Sequence, residues 1–129
     1  MTFNIDIVAS ATANTFFRRV ISTGPNAQVV LMCIPPRGEI GEEIHDHVDQ
    51  VLAFVAGEGV AILEGEESQV GPNRLVHVPA GMRHNVVNQG PTELRLYTVY
   101  APPQHAPDTI HRTKAEADAD EADTYPVPV

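Results

Sequence analysis

His45 and His47 lie two residues apart in the run Gly41-Glu42-Glu43-Ile44-His45-Asp46-His47-Val48-Asp49-Gln50. On an extended strand, residues i and i+2 point to the same face, about 7 Å apart along the chain. Two imidazoles so placed can converge on one metal ion. Val48-Asp49 is a short polar break, after which Gln50, Leu52 and Phe54 share one face of the next strand. With that face inward, Gln50 is presented beside the two histidines. Gly57-Glu58-Gly59 ends the strand with a turn. Three ligands from one strand cannot close around an ion, so a further imidazole must arrive from elsewhere. His84 supplies it, opening a strand just after the Pro79-Ala80-Gly81 turn, where Pro fixes φ and Gly accepts φ > 0.

The metal ligands expected from this spacing are therefore His45, His47 and His84, with Gln50 beside them. The expected cofactor is a divalent transition metal: Fe, Ni, Mn, Zn or Cu. Gln is a poorer ligand than a carboxylate. Glu43, two residues before His45 on the same strand face, is the carboxylate candidate if Gln50 does not ligate. Tyr97 and Tyr100 are candidate acids or oxygen donors at a pocket rim, with core packing as the plainer reading. Asp46 and Asp49 flank the ligands and either solvate the loop or hydrogen-bond a ligand imidazole. His77 matches no ligand position and reads as a polar or interface histidine. His105 and His111 lie towards the C-terminus, where they could fold over the barrel mouth as proton carriers. The favoured reading makes them surface histidines.

These residues need many short strands to position them. The chain has 129 residues, 43% of them hydrophobic, with eleven prolines and nine glycines. That is one domain's length, and its short apolar runs between turn residues favour an all-β fold. Strands are expected over Phe3–Val8, Phe16–Ile21, Val29–Ile34, Ile40–His47 and Gln50–Ala56. Further strands are expected over Gly59–Glu64, Ser68–Val70, Leu75–Val78, His84–Asn88 and Leu94–Tyr100. Ser10–Asn14 reads as a loop, and no helical period appears before residue 112. Val29–Ile34 is apolar on both faces, so one face should pack the core and the other a partner subunit, which points to a homodimer. Thr113-Lys114-Ala115-Glu116 fits a capping box, and a short acidic helix is expected at about 113–122. Between Thr113 and Tyr125 five acids stand against one base, a segment read as a solvated cap helix.

The net charge of −9, with Lys and Arg totalling eight, makes nucleic acid a poor partner. No apolar run reaches the length of a membrane span, and the run MTFNIDIVAS lacks the basic region and apolar core of a signal peptide. Cys33 is the only cysteine, so no internal disulfide can form and a reducing cytoplasm is the expected location. It sits in an apolar strand and reads as a small buried hydrophobe.

His45, His47, Gln50 and Gly57 fill a pattern that resembles the first motif of the cupin family: His-x-His, a Glu or Gln, then six residues and Gly. Asn73, Pro79, Gly81, His84 and Asn88 fill one similar to the second, Gly-x5-Pro-x-Gly-x2-His-x3-Asn. Two departures stand out. Gln50 replaces the usual Glu, one residue nearer His47 than in the commonest form, and the resemblance implies it as the fourth ligand. Asn73 replaces a Gly, a mild change because Asn tolerates the left-handed conformation. The resemblance implies a single-domain jelly-roll β-barrel over residues 1–103, with a C-terminal extension over 104–129 that carries the short helix. It also implies a metal-dependent enzyme acting on a small oxygenated molecule, by isomerase, lyase, cyclase or dioxygenase chemistry. The run Leu96–Pro103 and His111-Arg112-Thr113-Lys114 are similar to small cupins likened to sugar-phosphate isomerases. A non-catalytic cupin that binds a metal or small ligand, and a metal-free epimerase-type cupin using a histidine and a tyrosine, remain the alternatives.

Overall fold

Alternation of small apolar and turn-forming residues dictates the architecture. A computed structural model describes residues 2–125. Among these residues, nine strands form two antiparallel sheets that close on a shared interior. The strands are β1 (Arg18–Thr23), β2 (Gln28–Ile34), β3 (Asp49–Ala56), β4 (Gly59–Leu63), β5 (Glu66–Val70), β6 (Leu75–Val78), β7 (His84–Asn88), β8 (Leu94–Ala101) and β9 (Ile110–His111). The larger sheet runs β6-β3-β8-β2-β1-β9 and the smaller β5-β4-β7. Together they make a jelly roll. Period-2 alternation puts Val30, Met32 and Ile34 of β2, Leu52 and Phe54 of β3, and Leu94, Leu96 and Tyr100 of β8 on the inner face. These meet Ala61 and Val86 of the smaller sheet in one core.

Glycine and asparagine set two of the corners. Gly57 has φ +88°, and a Cβ there would stand 2.4 Å from the Glu93 carbonyl oxygen. Asn73 has φ 69°, the left-handed conformation its place in the motif requires.

The N-terminal expectation is overturned. Residues Ile7–Ala13 form a helix, α1, where a strand and a loop were predicted. Asp6 caps it: its carboxylate accepts from the Ala9 backbone N–H at 3.0 Å. The sequence IVASATA has alanines enough to sustain two turns, and alternation over Phe3–Val8 was too short to outweigh the cap. α1 packs on β2, β3 and β8, and Arg95 on β8 donates to the carbonyls of Thr12 and Asn14. The chain itself thus contributes cover to the outer face of β2, where Leu31 and Cys33 are buried, and no partner subunit is needed to account for that apolar face. Burial pushes the Cys33 thiol up to about 12, helped by its hydrogen bond to Glu93.

The expected strand over Ile40–His47 is only partly realised. Glu39 and Glu43 make isolated bridges to Val87 and His84 of β7. Between them Gly41, at φ +107°, interrupts the ladder, and its N–H is taken by the Asn85 side chain at 2.9 Å. At the other end, α2 (Lys114–Ala119) is capped by Thr113, whose side chain accepts from Glu116 N at 3.1 Å. The helix is shorter than expected. The segment before it contributes β9, which pairs with β1 through Arg18↔His111 and Arg19↔Ile110.

Candidate metal centre

Glu43 and His84 are cross-strand neighbours, each donating its backbone N–H to the other's carbonyl at 2.9 Å. That pairing sets their side chains side by side on the inner face. His45, two residues after Glu43, shares its face, and its carbonyl is held by the Gly81 N–H at 2.8 Å. One ligand atom each from Glu43, His45 and His84 lies within 4.8 Å of the other two.

His45 Nε2 stands 2.9 Å from Glu43 Oε2, within ion-pair distance, and has no other polar partner among the described residues. The three groups are close enough together that they could share one cation. His84 Nδ1 lies 2.9 Å from the Met82 carbonyl. A carbonyl only accepts, so Nδ1 carries the proton and Nε2 keeps its lone pair. This is the outer contact that orients a metal-binding imidazole. Burial alone would raise the Glu43 carboxyl. Contact with His45, and the nearby Arg18 and His84, hold it below the ordinary range instead. Two imidazoles and an ionised carboxylate suit a divalent first-row metal.

The other expected residues fall in several places. His47 is not among the three converging groups. The chain turns at Asp46–His47, two residues earlier than expected, and His47 is exposed on that turn. The convergence is therefore two imidazoles and a carboxylate, with Glu43 inside it. Gln50 is buried on the inner face of β3. Its Nε2 donates to Thr98 Oγ1 at 3.0 Å, and Thr98 donates on to the Val51 carbonyl at 2.8 Å. That leaves the Gln50 Oε1 buried and unpartnered. Tyr100 is fully inside, its ring edge on His45 with centroids 5.9 Å apart. Burial pushes its phenol above the ordinary tyrosine range, so it is a proton donor and not a phenolate. Tyr97, three residues earlier on β8, points to the opposite face with Phe3, Ile5 and Val99, away from the site. Asp49 braces the Pro79-Ala80-Gly81 turn by accepting from Ala80 N at 2.8 Å, and exposed His77 stands 3.6 Å from it.

The C-terminal histidines are not at the surface. His105 is 6% and His111 4% exposed. His105 Nδ1 bonds Asp123 Oδ2 at 2.7 Å, and His111 Nε2 bonds Asp120 Oδ2 at 2.9 Å. So two of the acids read as solvated are histidine partners: Asp123 turns inwards, and Asp120 holds His111 from the surface. Burial pushes His105 below the ordinary imidazole range, with Asp123 opposing. Asp123, though raised by burial, is held low by its hydrogen bond from His105. His105 is thus neutral, its Nδ1–H donating to a carboxylate. The His105 ring meets the Tyr100 edge at 4.9 Å between centroids. Arg18 also points inside and is 6% exposed. The sequence signal for Arg18 was its spacing from Val20, a core residue. For Asp120 and Asp123 it was two histidines within the same short segment.

A depression of about 690 Å³ opens beside this cluster, lined in part by Ile44, His45, His47, Pro103, Gln104 and Tyr125. That volume lies in the range of small-ligand sites.

Residues 30–100 match the cupin domain family. The chain is 40% identical over 125 residues to the uncharacterized protein YrkC of Bacillus subtilis (strain 168), across 92% of this chain and 67% of that one. It is 35% identical over 101 residues to the uncharacterized protein L612 of Acanthamoeba polyphaga mimivirus, across 75% and 63%. It thus spans about two thirds of the length of these relatives. The crystal structure of BH2720 from Bacillus halodurans superposes with a TM-score of 0.91 at 39% identity, covering 92% of this chain and 95% of that one. With both motifs in register and a relative this near over nearly its whole length, the chain belongs to the cupin family.

Proposed function

We propose that the protein is a metal-dependent enzyme acting on a small oxygenated molecule at the Glu43–His45–His84 cluster. The observation that carries this is the convergence of the three ligand atoms, with His84 fixed by the Met82 carbonyl in the ligating tautomer. A bound divalent ion would supply Lewis acidity, with open positions for substrate oxygens or for O₂. The chain's own residues do the rest. Glu43 brings negative charge to the cluster, Tyr100 offers a phenolic proton beside His45, and the apolar barrel excludes water. Cytoplasmic location and a homodimer belong to the same reading.

Metal content tests it. Protein grown in metal-supplemented medium should carry near-stoichiometric Fe, Ni, Mn, Zn or Cu, and Glu43→Gln and His84→Ala should lose it while keeping the wild-type circular dichroism. A metal-free wild type, or variants that retain the metal, would overturn the proposal. Oxygen uptake against diketones, thiols and flavonols separates dioxygenase from isomerase chemistry. A second reading, a metal-free epimerase-type cupin with His105 as base and Tyr100 as acid, is favoured by their ring contact and the unpartnered His105 Nε2. It requires turnover to survive chelation.

A further inference from the structure

Depressions open at both histidines of the metal cluster. The larger, about 690 Å³, lies beside His45. The smaller, about 360 Å³, reaches His84 along the β4–β7 pair. Their charged side chains decide what can enter. In the larger, Asp46 is the one permanently charged side chain among the described residues. In the smaller, Arg83 shares the lining with Glu42 and Glu64. Its Nε is 2.9 Å from the Glu42 carboxylate, and its backbone N–H donates to Glu64 at 3.0 Å. Arg18 lines neither depression. The chain as a whole carries a net charge of −9. A phosphate entering by either way meets carboxylates or a guanidinium already paired, in a field of its own sign.

The wall of the larger depression is mostly apolar. Ile44, between Glu43 and His45 in sequence, is 47% exposed. The same wall takes in Pro25, Pro102 and Pro103, and Tyr125 adds an aromatic face. Proline rings give up no rotamer freedom when they are covered. Apolar walls around a few polar groups are the usual lining of a small-molecule site.

We propose that the substrate is a neutral molecule with two neighbouring oxygens and an apolar alkyl or aryl body. The oxygens go to the metal cluster, and the body covers Ile44, the prolines and Tyr125. This deepens the proposed function by naming the substrate class, and it rests on that reading for the oxygens. It sets aside the sugar phosphates to which the sequence resemblance points.

The test is calorimetric titration of the full, metal-reloaded chain with three hydroxamic acids that share one neutral, oxygen-chelating head. They are acetohydroxamic, benzohydroxamic and phosphoglycolohydroxamic acid. Benzohydroxamic acid should bind about tenfold or more tighter than acetohydroxamic acid, the gain from burying a ring face. Phosphoglycolohydroxamic acid should bind no better than acetohydroxamic acid. Ile44→Ser should cut the advantage of the ring to about threefold or less, and Asp46→Asn should strengthen the phosphate-bearing ligand. A wild-type preference for that ligand, equal affinities for the other two, or an unchanged ring advantage in Ile44→Ser would overturn the proposal. The Ile44 methyl resonance of the wild type separates this failure from that of the metal reading. Benzohydroxamic acid should shift it even in chelator-treated protein, through the ring alone. A shift in protein that holds no metal in any preparation sinks the metal reading alone. Retained metal with an unmoved Ile44 methyl sinks this one alone.

Discussion

Asp123→Ala is the perturbation that tests the barrel interior most directly. The Asp123 carboxylate accepts from His105 Nδ1 at 2.7 Å and from Ala106 N at 2.9 Å, and its side chain is 7% exposed. Alanine leaves both donors buried and unanswered. Each orphaned buried donor costs about 1–3 kcal/mol, so the expected loss is about 2–6 kcal/mol. Water entering the gap favours the lower half of that range. A domain holds about 5–15 kcal/mol in total, so a large share disappears. At this chain length the melting temperature should fall by roughly 10 °C. The sign of the pH dependence follows from both partners. The folded pKa of Asp123 is depressed, so its contribution is full above the unfolded carboxylate value, about 3.9. It fades as pH falls through the folded value. The folded pKa of His105 is depressed too. Its neutral form is therefore neutral to stability above about pH 6.5, and acidification below that protonates the unfolded chain first. Wild-type stability should therefore decline from about pH 6.5 downwards, and His105→Gln should flatten that slope. Urea unfolding at pH 7.5 and pH 5 reads both effects. An Asp123→Ala variant within about 0.5 kcal/mol of wild type would refute the reasoning.

Further expectations concern the ligand set and the corners. His47→Ala should keep its metal within twofold if Glu43, His45 and His84 are the ligands, and loss of metal in elemental analysis would restore His47 to the site. Gln50→Glu should lower apo-protein stability by about 1–3 kcal/mol, the cost of an unanswered buried acceptor facing Val51-bonded Thr98, and added metal should recover it in a thermal melt. Gly57→Ala places a methyl against the Glu93 carbonyl at positive φ. A loss above about 2 kcal/mol is expected in urea unfolding, and an unchanged midpoint would contradict the contact.

The strands from Asp49 to Ala101 were legible because each is a run of alternating residues cut by Gly, Pro or Asn, and all of the second family motif and the Gln50–Gly57 half of the first fall within that span. His84, Gln50 and Tyr100 were legible as inward residues on the same ground. Glu43 was legible as the reserve carboxylate through its two-residue spacing from His45. At His47 the structure departs from the assumed strand, which is interrupted at Gly41 and gives way to a turn at Asp46–His47. Tyr97 failed by parity, since three residues separate it from Tyr100 and odd spacings change face. The N-terminal helix was hidden by a false alternation, its real signal being the Asp6 cap. Arg18, His105, His111, Asp120 and Asp123 were the deepest omission. Only the return of the chain to β1 reveals that Arg18, His105, His111 and the Asp123 side chain are buried together, with Asp120 at the exposed edge of the group.

That return has a consequence for how the molecule opens. Arg18 and His111 are 93 positions apart in sequence, and joining such distant points from a free coil costs about 4 kcal/mol in loop entropy beyond a constant. The central pairing of β2, β3 and β8 settles most of it beforehand. What remains is a short flap, the stretch from Pro103 to Asp123, braced within itself by two histidine–aspartate pairs and tied to the barrel by β9, the Gln28 side chain and the Arg18–His111 contact. Such a flap can lift and reseat while β1 to β8 stay paired. Solvent would then reach Arg18, Tyr100 and His45 in one movement, and the flap amides would exchange their hydrogens well ahead of those in β8.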